Sequence, residues 1–156
     1  MSDFDQSFSK IIGVEGGYSN NPDDPGGETM WGICKRDYPN LDIKNLTQDQ
    51  AKSIYKSDYW DKVKGDLLPY PLNLFMFDAA VNQGVEAAIK CLQKTLNLAQ
   101  DGILGVQTMK GAQSMRDDAI ALYMADRAVR YTGTRNADKF LRGWMKRLFV
   151  ITMGAK

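Results

Sequence analysis

Apolar positions recur at helical spacing from the start of the chain. Phe4, Phe8, Ile11 and Ile12 define a first helix behind a Ser2-x-x-Asp5 start signal and ahead of a Gly16-Gly17 stop. From Tyr18 to Leu46 the texture changes to Asn, Pro, Asp and Gly, which predicts turns and at most a small β-hairpin. Thr47-x-x-Gln50 then opens a second helix carrying Ala51, Ile54, Tyr55 and Tyr59 before Gly65. After Pro69 and Pro71, the stretch from Leu72 to Asn82 is apolar nearly all round and predicts the central buried helix. Its two late polar residues, Asp78 and Asn82, are four apart and share a face, so they either satisfy core neighbours or line a cleft. Val85, Ala88, Ile89, Leu92 and Leu96 mark another amphipathic helix, followed by a tight turn at Asp101 to Gly105 and a short helix through Met109. Two long helices close the chain, from about Asp117 to Tyr131 and from about Asn136 to Met153, the latter with Phe140, Leu141, Trp144 and Leu148 inward. The class is therefore mainly α, a single domain with at most one small hairpin.

Composition narrows the chemistry. At 156 residues the chain can bury a sizeable core without disulfides or metal. Its 20 basic and 19 acidic residues nearly cancel, so no nucleic-acid partner is expected. Residues 1–66 carry 8 Lys or Arg against 12 Asp or Glu, and residues 67–156 carry 12 against 7, a polarity suited to a polyanionic surface. Cys34 and Cys91 stand far apart among apolar or aromatic neighbours and are read as buried free thiols. Histidine is absent, which removes Ser-His-Asp and Cys-His systems and nearly all zinc hydrolase sites, and leaves acid–base work to carboxylates. No cofactor or metal is called for. The N-terminus lacks a basic region followed by an apolar core, and no apolar run approaches the ~20 residues of a membrane span, so synthesis in the cytoplasm without membrane insertion is expected.

Glu15 falls at the exit of the first helix, where the negative pole of the helix dipole and the apolar neighbours Val14 and Tyr18 would raise its pKa and suit it to be a general acid. Asp23, Asp24 and Glu28 follow within a short span, with the hydroxyl of Thr29 beside them. One acid that protonates a leaving oxygen, with a second carboxylate that stabilises charge or activates water, is the apparatus of glycoside hydrolysis. The plainer reading, a solvated helix end followed by an ordinary Asp-Pro-Gly-Gly turn, is equally compatible with these local features.

The string Glu15-Gly16-Gly17-Tyr18-Ser19-Asn20-Asn21-Pro22-Asp23-Asp24-Pro25-Gly26-Gly27-Glu28-Thr29-Met30-Trp31-Gly32-Ile33 resembles the opening motif of glycoside hydrolase family 108, a group of phage and prophage lysozymes. The likeness continues through Tyr38 to Ile43 and through Phe77 to Gly84. Leu92-Gln93 and Asp101 to Thr108 resemble a peptidoglycan-binding segment. The resemblance implies a lysozyme-like domain divided into a catalytic segment (1–66), a peptidoglycan-binding-like helical segment (67–133) and a C-terminal helix (134–156). It implies an endolysin that cleaves the β-1,4 bond between N-acetylmuramic acid and N-acetylglucosamine, with Glu15 as catalytic acid. The order Glu15, Asp24, Thr29 is similar to the triad of T4-type phage lysozymes, although Asp24 to Thr29 is one residue shorter than that pattern, which leaves Asp23 and Glu28 as alternatives to Asp24. Trp31 stands where many family members carry Tyr. Tyr18, Gly27, Glu28 and Trp31 are the expected substrate contacts beside the catalytic residues, with Asp78 and Asn82 on the opposite wall of the groove.

The implied partners are bacterial peptidoglycan and a holin that releases the enzyme without direct contact, and the implied form is a monomer. The Asp101 loop is read as structural, and Lys139, Arg142, Lys146, Arg147 and Lys156 as a solvated basic face or an anchor to an anionic surface. Two rivals stay open: a non-catalytic wall-binding or secretion-activator protein, and a lytic transglycosylase.

Overall fold

A computed structural model describes residues 1–12, 17–20 and 26–155. Helix α1 (Asp3–Ile12) begins with a reciprocal cap. The Asp5 amide donates to Ser2 Oγ at 3.2 Å and the Ser2 amide donates to Asp5 Oδ2 at 3.1 Å, while Asp3 and Asp5 favour the positive end of the helix. The helix buries Phe4, Phe8 and Ile11.

A two-stranded antiparallel hairpin follows, β1 (Thr29–Met30) and β2 (Ile33–Cys34). Helix α2 (Gln48–Tyr55) opens with the Thr47/Gln50 capping box expected from the sequence. The expected helix through Tyr59 is not uniform, because Lys56–Trp60 forms a π-helical turn. One such turn re-aims the side chains that follow it. Trp60 is completely buried and its indole N–H donates to Asp66 Oδ1 at 2.9 Å. The ring lies so close to Gly65 that a Cβ there would come within 2.4 Å of it, which explains the glycine at that position.

Helix α3 (Leu72–Gln83) is the central helix, with every residue from Leu72 to Ala80 buried. It packs against α1, α4 (Val85–Thr95), α6 (Asp117–Thr132) and α7 (Ala137–Gly154), and α5 (Val106–Gln113) packs on α4. One hydrophobic cluster runs from Phe4 and Trp60 through Phe77 and Leu92 to Ile151, so all three sequence segments contribute to a shared core. The Asp101 turn is held locally: Asp101 Oδ1 accepts from the Ile103 amide at 2.9 Å and from Gln93 Nε2 at 2.7 Å, and Gln93 Oε1 accepts from the Gly102 amide.

Three expectations are corrected. Cys34 is half-buried, although both cysteines are free as expected and Cys91 is buried. On α7, Leu148 faces inward, but Phe140 is 52% exposed. Arg147 leaves the basic outer face and reaches inward to Asp78 at 2.8 Å, because a carboxylate buried in an apolar helix needs a cationic partner. Among the described residues, no helix is long and apolar enough to cross a membrane.

Candidate active site

The hairpin is built from its turn outward. Met30 pairs with Ile33, which leaves Trp31 and Gly32 as a two-residue connection, and both have positive φ, 54° and 77°. This is the type I′ geometry that matches strand twist, and Gly32 suits it without strain. A bulky Trp31 is uncommon in left-handed backbone and is held there from both sides. Its indole N–H donates to the Leu46 carbonyl at 3.0 Å, and its own carbonyl accepts from the Tyr55 hydroxyl at 3.0 Å. Trp31 is consequently half-buried against the core, with its polar edge committed to the fold.

Pairing continues beyond the strands. The Lys35 amide donates to the Glu28 carbonyl at 2.8 Å and the Arg36 amide to the Gly26 carbonyl at 3.1 Å. Gly27, at φ 71°, provides the left-handed bend between these pairs. On the other edge Ser19 and Thr29 exchange two backbone hydrogen bonds of 2.8 Å each, so Thr29 is held between the Ser19 segment and Cys34.

Strand alternation then sorts the side chains. Tyr18 and Glu28 share one face, and the Tyr18 hydroxyl donates to Glu28 Oε1 at 2.8 Å. That carboxylate holds the phenolic proton and raises the Tyr18 pKa. Thr29 projects from the opposite face. Among the described residues its hydroxyl makes one long contact, donating to the Gly27 carbonyl at 3.4 Å. Glu28 and Thr29, adjacent in sequence, are therefore not brought together around one point in space. Glu15, Asp23 and Asp24 lie outside the described residues.

The opposite wall expected from α3 divides in two. Asp78 has no exposed surface and both its oxygens are taken, Oδ2 by Arg127 Nη2 at 2.7 Å and Oδ1 by Arg147 Nε at 2.8 Å. It is a core ion-pair residue, which corrects its placement on the groove. Asn82, one turn on, is half-buried and its Oδ1 accepts from the Tyr131 hydroxyl. Arg127, completely buried, was missed at the level of sequence; the signal was Asp78 itself, an acid with no local cation on an otherwise apolar helix. Among the described residues there is no cluster of His, Cys, Asp or Glu able to hold a metal ion.

The sequence profile of the family described as Glycosyl hydrolase 108 matches residues 8–84, a span that holds the first-helix exit, the hairpin and the central helix. A solved structure titled "Structure of Brucella abortus SagA" is 31% identical, superimposes with a TM-score of 0.85, and is matched over 97% of this chain and 92% of its own. This chain belongs to the Glycosyl hydrolase 108 family. No curated protein sequence matches it. Membership explains the mainly helical, lysozyme-like architecture with its small hairpin, and it indicates a glycoside hydrolase acting on the bacterial cell wall. For a glycosyl hydrolase 108 protein the absence of histidine is no obstacle, since carboxylates alone perform this class of reaction.

Proposed function

We propose that this chain is an N-acetylmuramidase that hydrolyses the β-1,4 bond between N-acetylmuramic acid and N-acetylglucosamine. Glu15 donates its proton to the leaving oxygen. Asp24 stabilises the oxocarbenium charge or activates water, and Thr29 orients that water. The observation that carries the reading is the family match across residues 8–84, which contains all three residues. The hairpin supports Asp24 over Glu28 as the second carboxylate, because Glu28 is bonded to Tyr18 on the face opposite Thr29. The resemblance of the Glu15 to Ile33 motif to phage lysozymes supports a role in host lysis, as a monomer, with release to the wall through a holin.

The test is loss of turbidity of purified peptidoglycan with the wild type and with a Glu15→Gln variant shown to be equally folded. Clearing by the wild type alone supports the reading. Clearing by both removes Glu15 from the chemistry, and clearing by neither replaces the enzyme with a wall-binding protein. Mass spectrometry of the products completes it: reducing ends support hydrolysis, and 1,6-anhydro ends, lighter by one water, overturn it in favour of a lytic transglycosylase.

A further inference from the structure

Where the C-terminal turns of α3 and α6 meet α7, a cavity of about 210 Å³ opens between Asn82, Gln83, Arg130, Tyr131, Thr134 and Trp144. None of these except Asn82 belongs to the site expected from the sequence. The geometry points to a subsite for one N-acetylated amino sugar whose attached peptide presents a carboxylate to Arg130. The assignment rests on the cell-wall reading above and extends it from the glycan bond to the peptide-bearing unit.

The floor is rigid. Gln83 Oε1 accepts from Arg127 Nε at 3.1 Å and Gln83 Nε2 donates to the Arg127 carbonyl at 3.4 Å, while Arg127 is itself fixed by Asp78. A carboxamide locked in this way presents a defined edge to a ligand, as binding sites require. Asn82 is oriented as well. The Tyr131 hydroxyl donates to its Oδ1, so the amide nitrogen carries the two donors left for a sugar hydroxyl or an acetamido carbonyl.

One wall is aromatic. Tyr131 and Trp144 stack with centroids 5.0 Å apart and planes 18° from parallel, and Phe140 extends the run 5.8 Å beyond Trp144. Tyr131 is buried, Trp144 half-buried and Phe140 exposed, so the apolar surface emerges progressively toward solvent. Ring faces of this kind suit the C–H face of a pyranose. The pairing of amide donors with an aromatic wall thus matches an amino sugar better than a charged or wholly apolar ligand.

At the rim stand Arg130 and Thr134. Arg130 is exposed and makes no ion pair among the described residues, unlike Arg36, Arg127 and Arg147. Its guanidinium is the group that reads a carboxylate through two parallel hydrogen bonds. A simple chitin-like glycan has no carboxylate to offer. The lactyl-linked peptide of peptidoglycan does, in its glutamate residue.

The experiment uses the full chain as Glu15→Gln, so that ligands survive, with and without Arg130→Gln. Two probes are titrated: a disaccharide of N-acetylglucosamine and N-acetylmuramic acid bearing L-alanyl-D-glutamate, and peptide-free tri-N-acetylchitotriose. Dissociation constants come from calorimetry and the site from amide NMR shifts. The expected result is about tenfold tighter binding of the peptide-bearing probe, the equivalent of one charge-assisted contact, with that advantage lost in Arg130→Gln. Both probes should shift the signals of Asn82, Gln83, Tyr131 and the Trp144 indole. Equal affinity for the two probes overturns the role of Arg130, and an absence of shifts at those four residues overturns the subsite. Failure of the wild type to cleave peptidoglycan is a separate result, since these binding readouts do not depend on turnover.

Discussion

Tyr18 donates its phenolic hydrogen to Glu28 Oε1 at 2.8 Å, and both side chains stand on the hairpin face opposite Thr29. A carboxylate occupied in this way is poorly placed to serve the water that Thr29 would orient. Glu28→Gln, whose amide oxygen still accepts from Tyr18, is therefore expected to keep wall-clearing activity within about threefold. Asp24→Asn is expected to lose about a hundredfold or more, the usual weight of an acid–base group. Initial rates of peptidoglycan clearing for the two variants check the assignment, and the reverse order would move the second carboxylate to Glu28.

The buried ion cluster makes a prediction about stability. Asp78→Asn removes the charge that balances Arg127 and Arg147 while keeping the volume, and leaves a guanidinium in a site that has no access to water. The expected cost is about 3–5 kcal/mol, the range for breaking a buried pair by removing one partner. Equilibrium urea unfolding of the variant and the wild type measures it. A loss below about 1 kcal/mol, the worth of an exposed pair, would contradict the burial of the Asp78–Arg127 pair.

Acid should loosen the N-terminal cap of α1 only as the pH falls toward about 2. Lys52, at 2.5 Å, and then the Ser2 side chain and amide hold the Asp5 carboxyl at a pKa of about 2, below its ordinary 3.8. A lowered folded-state pKa contributes stability that is fully present above the unfolded value and is lost as pH falls through the folded one. The contribution of Asp5 should thus be intact above about pH 4 and disappear toward pH 2, and Asp5→Asn should flatten the melting temperature over that window. Thermal melts by circular dichroism at intervals of half a pH unit test this.

The two thiols should differ in reactivity. Burial, and next the nearby Asp126 carboxylate, push the Cys91 thiol up to about 11, so little thiolate exists at neutral pH. Cys34 is also raised, by desolvation and by its hydrogen bond to Asp37, but it is half-buried and reachable. Iodoacetamide at pH 8 is expected to label Cys34 first and Cys91 only on unfolding, because the thiolate is the reacting form. Peptide mass spectrometry over a labelling time course distinguishes the sites, and Cys91 reacting first would reverse the order.

Much of this was legible in sequence because it is local. Ser2 with Asp5 and Thr47 with Gln50 formed the caps expected of them, and the all-round apolar run from Leu72 to Asn82 became the central helix. Local pattern does not reveal partners distant along the chain. Asp78 and Asn82 share a helical face as expected, but what that face meets is decided by Arg127, Tyr131 and Arg147 from two later helices. Similarly, the motif identified Glu28 and Thr29 as neighbours in sequence, and only strand pairing with Ser19 and Cys34 separates their side chains. The π-helical turn at Lys56–Trp60 has no simple sequence mark either; it ends on Trp60, whose ring packs against Gly65, beyond the turn in sequence.

Arg147 closes on Asp78 from α7, so the interior is completed by residues that leave the ribosome after the other helices of the core. A nascent chain that has emerged only as far as Gly133 already has α3 and α6, yet lacks the second guanidinium and the Leu148 and Ile151 side chains that seal them. Removing α7 in search of a smaller cell-wall hydrolase should therefore yield an aggregating fragment rather than a minimal one, and fusions are better joined beyond α7 than substituted for it.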